Sequence, residues 1–230
     1  MLSMIVLAGG RGSRMGASKN KLLLDLAGEP ILVRTLEMLC TLQGIDEIIL
    51  VYQRDDLELL TQWDVQRRFH LGKIVEGGKT RSLSAAAGLA AVDKQAKWVA
   101  VHDGARPLLQ SGDWLRLLAA CSCVRAAVLA VPVKDTIKQA NEQNYVQATL
   151  SRERLWSVQT PQLFQRDLLD KAYRCGLESL QQFTDDASMV EAMGETVALV
   201  QGSYSNVKIT TPEDLVLAEW LYAQQKGEGL

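Results

Sequence analysis

Four glycines, Gly9, Gly10, Gly12 and Gly16, fall within eight residues, and four cations, Arg11, Arg14, Lys19 and Lys21, fall within eleven. They directly follow the apolar run at residues 4–7. Glycine lets a backbone come close to a ligand and lets consecutive N–H groups converge on phosphate oxygens. The chemistry such a loop suits is the holding of a polyphosphate; the plainer reading is a flexible loop with a solvated basic edge. It is not a dinucleotide fingerprint, because GxGxxG begun at Gly10 needs a third glycine where Met15 stands.

Two further stretches carry chemistry-bearing residues. Glu76-Gly77-Gly78-Lys79-Thr80-Arg81-Ser82-Leu83-Ser84 reads as a strand–turn–helix joint, with Thr80 or Ser82 able to cap the helix. It does not complete a GxxxxGK[ST] loop, since the leading glycine would fall at Lys73. Val101-His102-Asp103-Gly104-Ala105-Arg106-Pro107 places an acid just past a buried strand. There a hard cation can be held by one carboxylate plus substrate phosphates, although a lone Asp at a strand end also serves as a turn or cap residue. The two histidines, His70 and His102, belong to no Ser/His/Asp or Cys/His arrangement. His102 reads as a structural neighbour of the site and His70 as a surface residue.

The elements that must position these residues alternate. Strand patterns occur at 4–7, 47–51, 73–75, 98–101 and 126–131, with helical patterns at 30–42, 80–92 and 113–121 between them. This βαβα order predicts an α/β, Rossmann-like, mostly parallel sheet with helices on both faces, whose ligands bind at the carboxyl ends of the strands. Residues 134–140 and 145–150, separated by Asn141-Glu142-Gln143-Asn144, predict a hairpin projecting from the sheet. Helices are expected at 166–175, 185–193 and 212–222, and a strand at 196–200. No repeat or linker divides the chain, so one domain over 1–230 is expected, with the arm at about 134–152.

A chain of 230 residues with 47% hydrophobic and 23% charged residues is an ordinary globular composition. A formal net charge of -2 offers no basic field for a nucleic-acid backbone. The apolar run at the N-terminus is too short for a membrane span and lacks a charged flank. Cys40, Cys121, Cys123 and Cys175 have no CxxC spacing and read as reduced thiols, so a cytoplasmic protein is expected.

Taken in order, the three stretches resemble the cytidylyltransferases that make 4-diphosphocytidyl-2-C-methyl-D-erythritol in the non-mevalonate isoprenoid pathway. Residues 133–138, Gln159-Thr160-Pro161-Gln162, Thr184-Asp185-Asp186-Ala187-Ser188 and the stretch from Asn206 through Lys208 to Asp214 extend the likeness over almost the whole chain. The resemblance implies transfer of CMP from CTP to a polyol phosphate. It implies that the backbone at Ala8, Gly9 and Gly10 meets the nucleotide, with Gly78 and Ser84 at its cytosine and ribose end. Arg14, Lys21 and Lys208 would surround the triphosphate, and Asp103 would bind Mg²⁺ or another divalent cation. Arg106, Thr136, Arg152 and Thr160 would face the methylerythritol phosphate. The hairpin would reach into a second subunit, making a homodimer. No membrane or nucleic-acid partner is implied. Gly9 stands where the family more often has Ala, Asn20 where Pro is frequent, and Lys79 where an acid is common, so reading of the base would rest on the backbone.

The rival readings are a ribitol-5-phosphate cytidylyltransferase, a nucleotidyltransferase using another base, and a non-catalytic regulator that only senses CTP.

Overall fold

The computed structural model describes residues 1–9, 21–176 and 183–227. Strand β1 is Leu2–Leu7, followed by the ribbon β2 (Asp25–Leu26) and β3 (Glu29–Pro30), helix α1 (Ile31–Cys40) and β4 (Glu47–Tyr52). Next come α2 (Leu57–Gln62), α3 (Val65–Arg68), β5 (Lys73–Glu76), α4 (Arg81–Ala91), β6 (Trp98–Asp103), α5 (Ser111–Ala120) and β7 (Ala126–Pro132). The arm is β8 (Ile137–Ala140) and β9 (Val146–Leu150), and then follow β10 (Trp156–Gln165), α6 (Arg166–Gly176), α7 (Asp186–Ala192), β11 (Ala198–Gln201) and α8 (Pro212–Lys226).

Seven strands form one sheet in the order β11-β7-β10-β6-β1-β4-β5. All pairings are parallel except those of β10, which runs antiparallel to both β6 and β7. The expected mostly parallel sheet is therefore present, together with a long strand at Trp156–Gln165 that its polar composition had concealed. The ribbon β2–β3 and the short helices α2 and α3 were likewise not expected.

Period-two alternation puts opposite sides of each buried strand into two separate cores. Met4 and Val6 of β1 pack with Leu32, Leu36 and Trp114 from α1 and α5, while Ile5 and Leu7 pack with Leu89, Leu169 and Val190 from α4, α6 and α7. Helices thus cover both faces. Helix α4 approaches β1 closely because residue 88 is glycine: a Cβ there would lie 2.5 Å from Cγ2 of Ile5. The hairpin β8–β9 pairs only with itself, outside the main sheet. None of the described helices is long and apolar enough to cross a membrane.

Candidate active site

Parallel strands β1 and β6 are neighbours at the centre of the sheet, and Leu7 pairs in register with Asp103 at their carboxyl ends. The loops there carry the candidate residues. The N–H of Gly104 donates to the carbonyl of Leu7 at 2.9 Å, and the N–H of Ile209 donates to that of Ala105 at 2.9 Å, drawing the segment before α8 onto the same edge. Nζ of Lys21 donates to the Ile209 carbonyl at 2.8 Å. Lys21 and Lys208, distant in sequence, are thereby placed on one side of the molecule.

Asp103 is the electrostatic centre. Its Oδ2 lies 2.7 Å from Nζ of Lys208 and 3.8 Å from Nε of Arg106, and its Oδ1 lies 3.5 Å from Nε of Arg81. Burial alone would raise its pKa, but Lys208, Arg81 and Arg106 together hold the carboxyl well below the ordinary carboxylate range. Asp103 is therefore ionised at neutral pH. Among the described residues, no three His, Cys, Asp or Glu side chains gather as a metal site. A divalent cation at Asp103 would have to draw its remaining ligands from phosphates and water, which suits Mg²⁺.

Beneath Asp103 lies a directional hydrogen-bond chain. The N–H of Asp103 donates to Oγ1 of Thr160 at 3.0 Å, Oγ1 contacts Nδ1 of His102 at 3.1 Å, and Nε2 of His102 lies 3.0 Å from the carbonyl of Arg106. A carbonyl only accepts, so Nε2 carries the imidazole proton and Nδ1 accepts from the Thr160 hydroxyl. Burial pushes the pKa of His102 down to about 4, more than its hydrogen bond to Arg106 and the nearby Asp103 raise it. His102 is thus a neutral structural link, as read from the sequence, and the proton of Thr160 is already committed. Thr160 sits where β10 changes register against β7, between Val158 and Gln162; such irregularities re-aim side chains. Asn206, fully buried, donates from Nδ2 to the Thr160 carbonyl at 3.0 Å and accepts on its own carbonyl from Nη1 of Arg106 at 2.6 Å.

The second loop is shaped by Ser84. Its hydroxyl meets the N–H of Gly78 at 3.1 Å and the carbonyl of Thr80 at 2.9 Å, and the Thr80 hydroxyl caps α4 by accepting from the N–H of Leu83. Nε2 of Gln53 reaches the Gly78 carbonyl at 3.4 Å and lies 2.5 Å from where a Cβ on Gly9 would stand. Gln53 therefore fills the space that an alanine at position 9 would claim and joins the first loop to the second.

The family model for IspD, 2-C-methyl-D-erythritol 4-phosphate cytidylyltransferase, matches residues 2–224. The chain belongs to this family. The 2-C-methyl-D-erythritol 4-phosphate cytidylyltransferase of Caldanaerobacter subterraneus subsp. tengcongensis is 43% identical over 221 residues, covering 95% of this chain and 97% of its own. That of Desulforamulus reducens is 44% identical over 218 residues, covering 94% and 93%. The crystal structure of 4-diphosphocytidyl-2C-methyl-D-erythritol synthase from Anaerococcus prevotii superposes with a TM-score of 0.85 at 34% identity, covering 97% of this chain and 98% of that one. The 2-C-methyl-D-erythritol 4-phosphate cytidylyltransferase of Thermus thermophilus gives 0.77 at 32%, covering 95% and 97%.

In this IspD-family chain the fold brings Lys21, Asp103, Arg106, Thr160 and Lys208 onto one edge of the sheet, with Ala8 and Gly9 just past the end of β1. Gly78 is on the adjacent loop and Ser84 in the first turn of α4 beneath it. Thr136 and Arg152 are on the arm, exposed, and among the described residues no hydrogen bond or ion pair joins them to Asp103. Nη1 of Arg152 instead donates to the Lys134 carbonyl at 2.8 Å, closing the base of the arm. Gly10 and Arg14 lie outside the described residues. His70 is exposed, as expected. Sequence reading gave no role to Arg81, Gln53, Asn206 and Asp186; Arg81, Asn206 and Asp186 sit within family-like stretches, whereas Gln53 follows β4 in none of them, and the partners of all four are remote in the chain.

Proposed function

We propose that this chain transfers CMP from CTP to 2-C-methyl-D-erythritol 4-phosphate, within isoprenoid precursor synthesis. The reading is supported above all by the meeting of Lys208, Arg106 and Arg81 around one ionised carboxylate, Asp103, with Lys21 tied to Ile209 beside Lys208, in a chain of this family. An oxygen of the polyol phosphate attacks the α-phosphorus of CTP. The bond from that phosphorus to the bridging oxygen breaks, and pyrophosphate leaves with the electron pair. Two anions must meet and charge grows on the leaving group, so positioning and cations carry the reaction, without a protein nucleophile. A phosphate monoester is largely ionised at neutral pH, which removes the need for a strong base.

In this reading Arg14, Lys21 and Lys208 neutralise the triphosphate, and the backbone at Ala8, Gly9 and Gly10 approaches it. Gly78 and Ser84 shape the site for cytosine and ribose. Asp103 would hold Mg²⁺, which when bound supplies charge neutralisation on the phosphate oxygens. Arg106 donates to the polyol phosphate, beside Thr160, whose proton His102 already takes. Thr136 and Arg152 complete this end from the arm of a second copy, in a homodimer of single-domain chains working in the cytoplasm. The exposed Tyr145, Val146 and Leu150 of the arm are the apolar surface such a partner would cover.

A pyrophosphate-release assay with each of several polyol phosphates and each nucleoside triphosphate tests the assignment. Turnover confined to CTP with methylerythritol phosphate is expected. Equal turnover with ribitol 5-phosphate, or with another triphosphate, would replace it with one of the rivals.

A further inference from the structure

The stretch at 184–188 has no part in the reaction described so far, yet it supplies a fully buried charge, Asp186, in the first turn of α7. Oδ1 of Asp186 accepts from the buried hydroxyl of Tyr173, and its Oδ2 lies 2.9 Å from Nη2 of Arg81. The start of α7 is fixed to β10 by Gln162, whose Nε2 donates to Oδ2 of Asp185 at 2.7 Å and whose Oε1 accepts from the N–H of Ala187 at 3.1 Å. Asp185 also caps the helix, in a reciprocal box with Ser188. Asp186 therefore cannot shift without unfolding the helix start.

Arg81 extends from this anchor to Asp103, with Nε 3.5 Å from Oδ1. One guanidinium is held between two carboxylates, and Nη1 of Arg81 is buried without a hydrogen-bond partner in the described structure. The two oxygens of Asp103 consequently differ. Oδ1 faces Arg81, which cannot leave without stranding a fully buried Asp186, a costly state. Oδ2 faces Lys208 and Arg106. The Lys208 side chain is 37% exposed on a flexible stem, so it can turn from Asp103 toward incoming phosphates.

We propose that Asp186 is a positioning residue for nucleotide transfer: it pins Arg81 against Oδ1 of Asp103, leaving Oδ2 as the oxygen offered to a cation that arrives with its phosphates. This rests on the reading of Asp103 as the Mg²⁺ ligand. It gives the 184–188 stretch a task, and it assigns Arg81 to orientation of the carboxylate.

Calorimetric titration of CTP with and without Mg²⁺, together with the Mg²⁺ concentration giving half-maximal turnover, tests the proposal in Asp186→Asn. The Mg²⁺-dependent part of CTP affinity should fall roughly 10- to 100-fold, as loss of a residue orienting a ligand does. CTP binding without Mg²⁺ and KM for the polyol phosphate should not change. Because Asp186→Asn leaves a buried cation without its partner, the double variant R81Q/D186N, which removes both charges, is measured beside it and should show the same loss. Wild-type Mg²⁺-dependent binding in either folded variant overturns the proposal, as does an equal loss with and without Mg²⁺. Asp103→Asn separates the two readings. If it keeps the Mg²⁺ dependence, the assignment of Asp103 fails; if it loses it while D186N keeps it, only the role of Asp186 fails.

Discussion

Nζ of Lys208 lies 2.7 Å from Oδ2 of Asp103, and this contact joins the segment before α8 to the carboxyl end of β6. The pair holds a cation and a carboxylate ready at one point, with Lys21 tied to the next residue, Ile209. When the nucleotide arrives, Lys208 has only to swing from Asp103 onto the phosphates, where its charge stabilises what develops on the leaving group. Lys208→Ala should lower kcat on the order of 10²-fold, measured by steady-state kinetics. Arg81 and Arg106 still flank Asp103 in that variant, so thermal unfolding should change little.

Stability should depend on pH through His102. Its pKa is pushed down to about 4 from 6.5 by burial, so the unfolded chain takes up a proton at a higher pH than the native protein does. The contribution is complete above pH 6.5 and is lost as the pH falls from there toward about 4. The loss should be on the order of 2–3 kcal/mol. Urea unfolding at pH 7 and pH 5 checks this against His102→Gln, which should show a flatter dependence; identical slopes would contradict it. Asp103, held low, acts in a lower window: its contribution is present above its ordinary pKa of 3.8 and is lost on further acidification.

Gly78→Ala should weaken CTP binding roughly tenfold, in line with the cost of inserting a methyl into a packed site. A Cβ at position 78 would overlap Cβ of Leu83 and sit 3.1 Å from the Leu83 backbone carbon, so the loop must move off α4. Direct titration of CTP checks it, and unchanged affinity would show that this loop does not shape the nucleotide site.

Arg152→Ala should raise KM for the polyol phosphate and spare that for CTP. Replacement of Val146, which is 63% exposed on the arm, by Asp should dissociate a dimer held by that surface. Sedimentation reads the second effect and kinetics the first. A Val146→Asp protein that sediments as wild type would remove the arm from the interface.

The central sheet was legible because β1, β4, β6 and β7 are short unbroken apolar runs and the helices between them keep one apolar face. Strand β10 was not legible, because Gln159, Thr160 and Gln162 are buried there as polar residues. They bond outward to loops, as when Gln159 donates to the Ser203 carbonyl and Gln162 holds α7, so no alternation of apolar and polar residues remains. Asp103, Lys21 and Lys208 could be proposed from glycine-rich loops and family likeness. The hold of Asp186 on Arg81 could not, since it joins α7 to α4 through contacts that only the folded sheet creates. Thr160 was expected to face the substrate; its bond to His102 shows that its proton is already used, a matter of hydrogen-bond direction and not of residue type.

The most direct measurement is pyrophosphate release from CTP, Mg²⁺ and 2-C-methyl-D-erythritol 4-phosphate by the wild-type protein and by Lys21→Ala. The wild type should release one pyrophosphate for each CMP transferred and none without the polyol phosphate, and Lys21→Ala should be slower on the order of 10²-fold. No release by the wild type, or an undiminished rate in Lys21→Ala, would contradict the account.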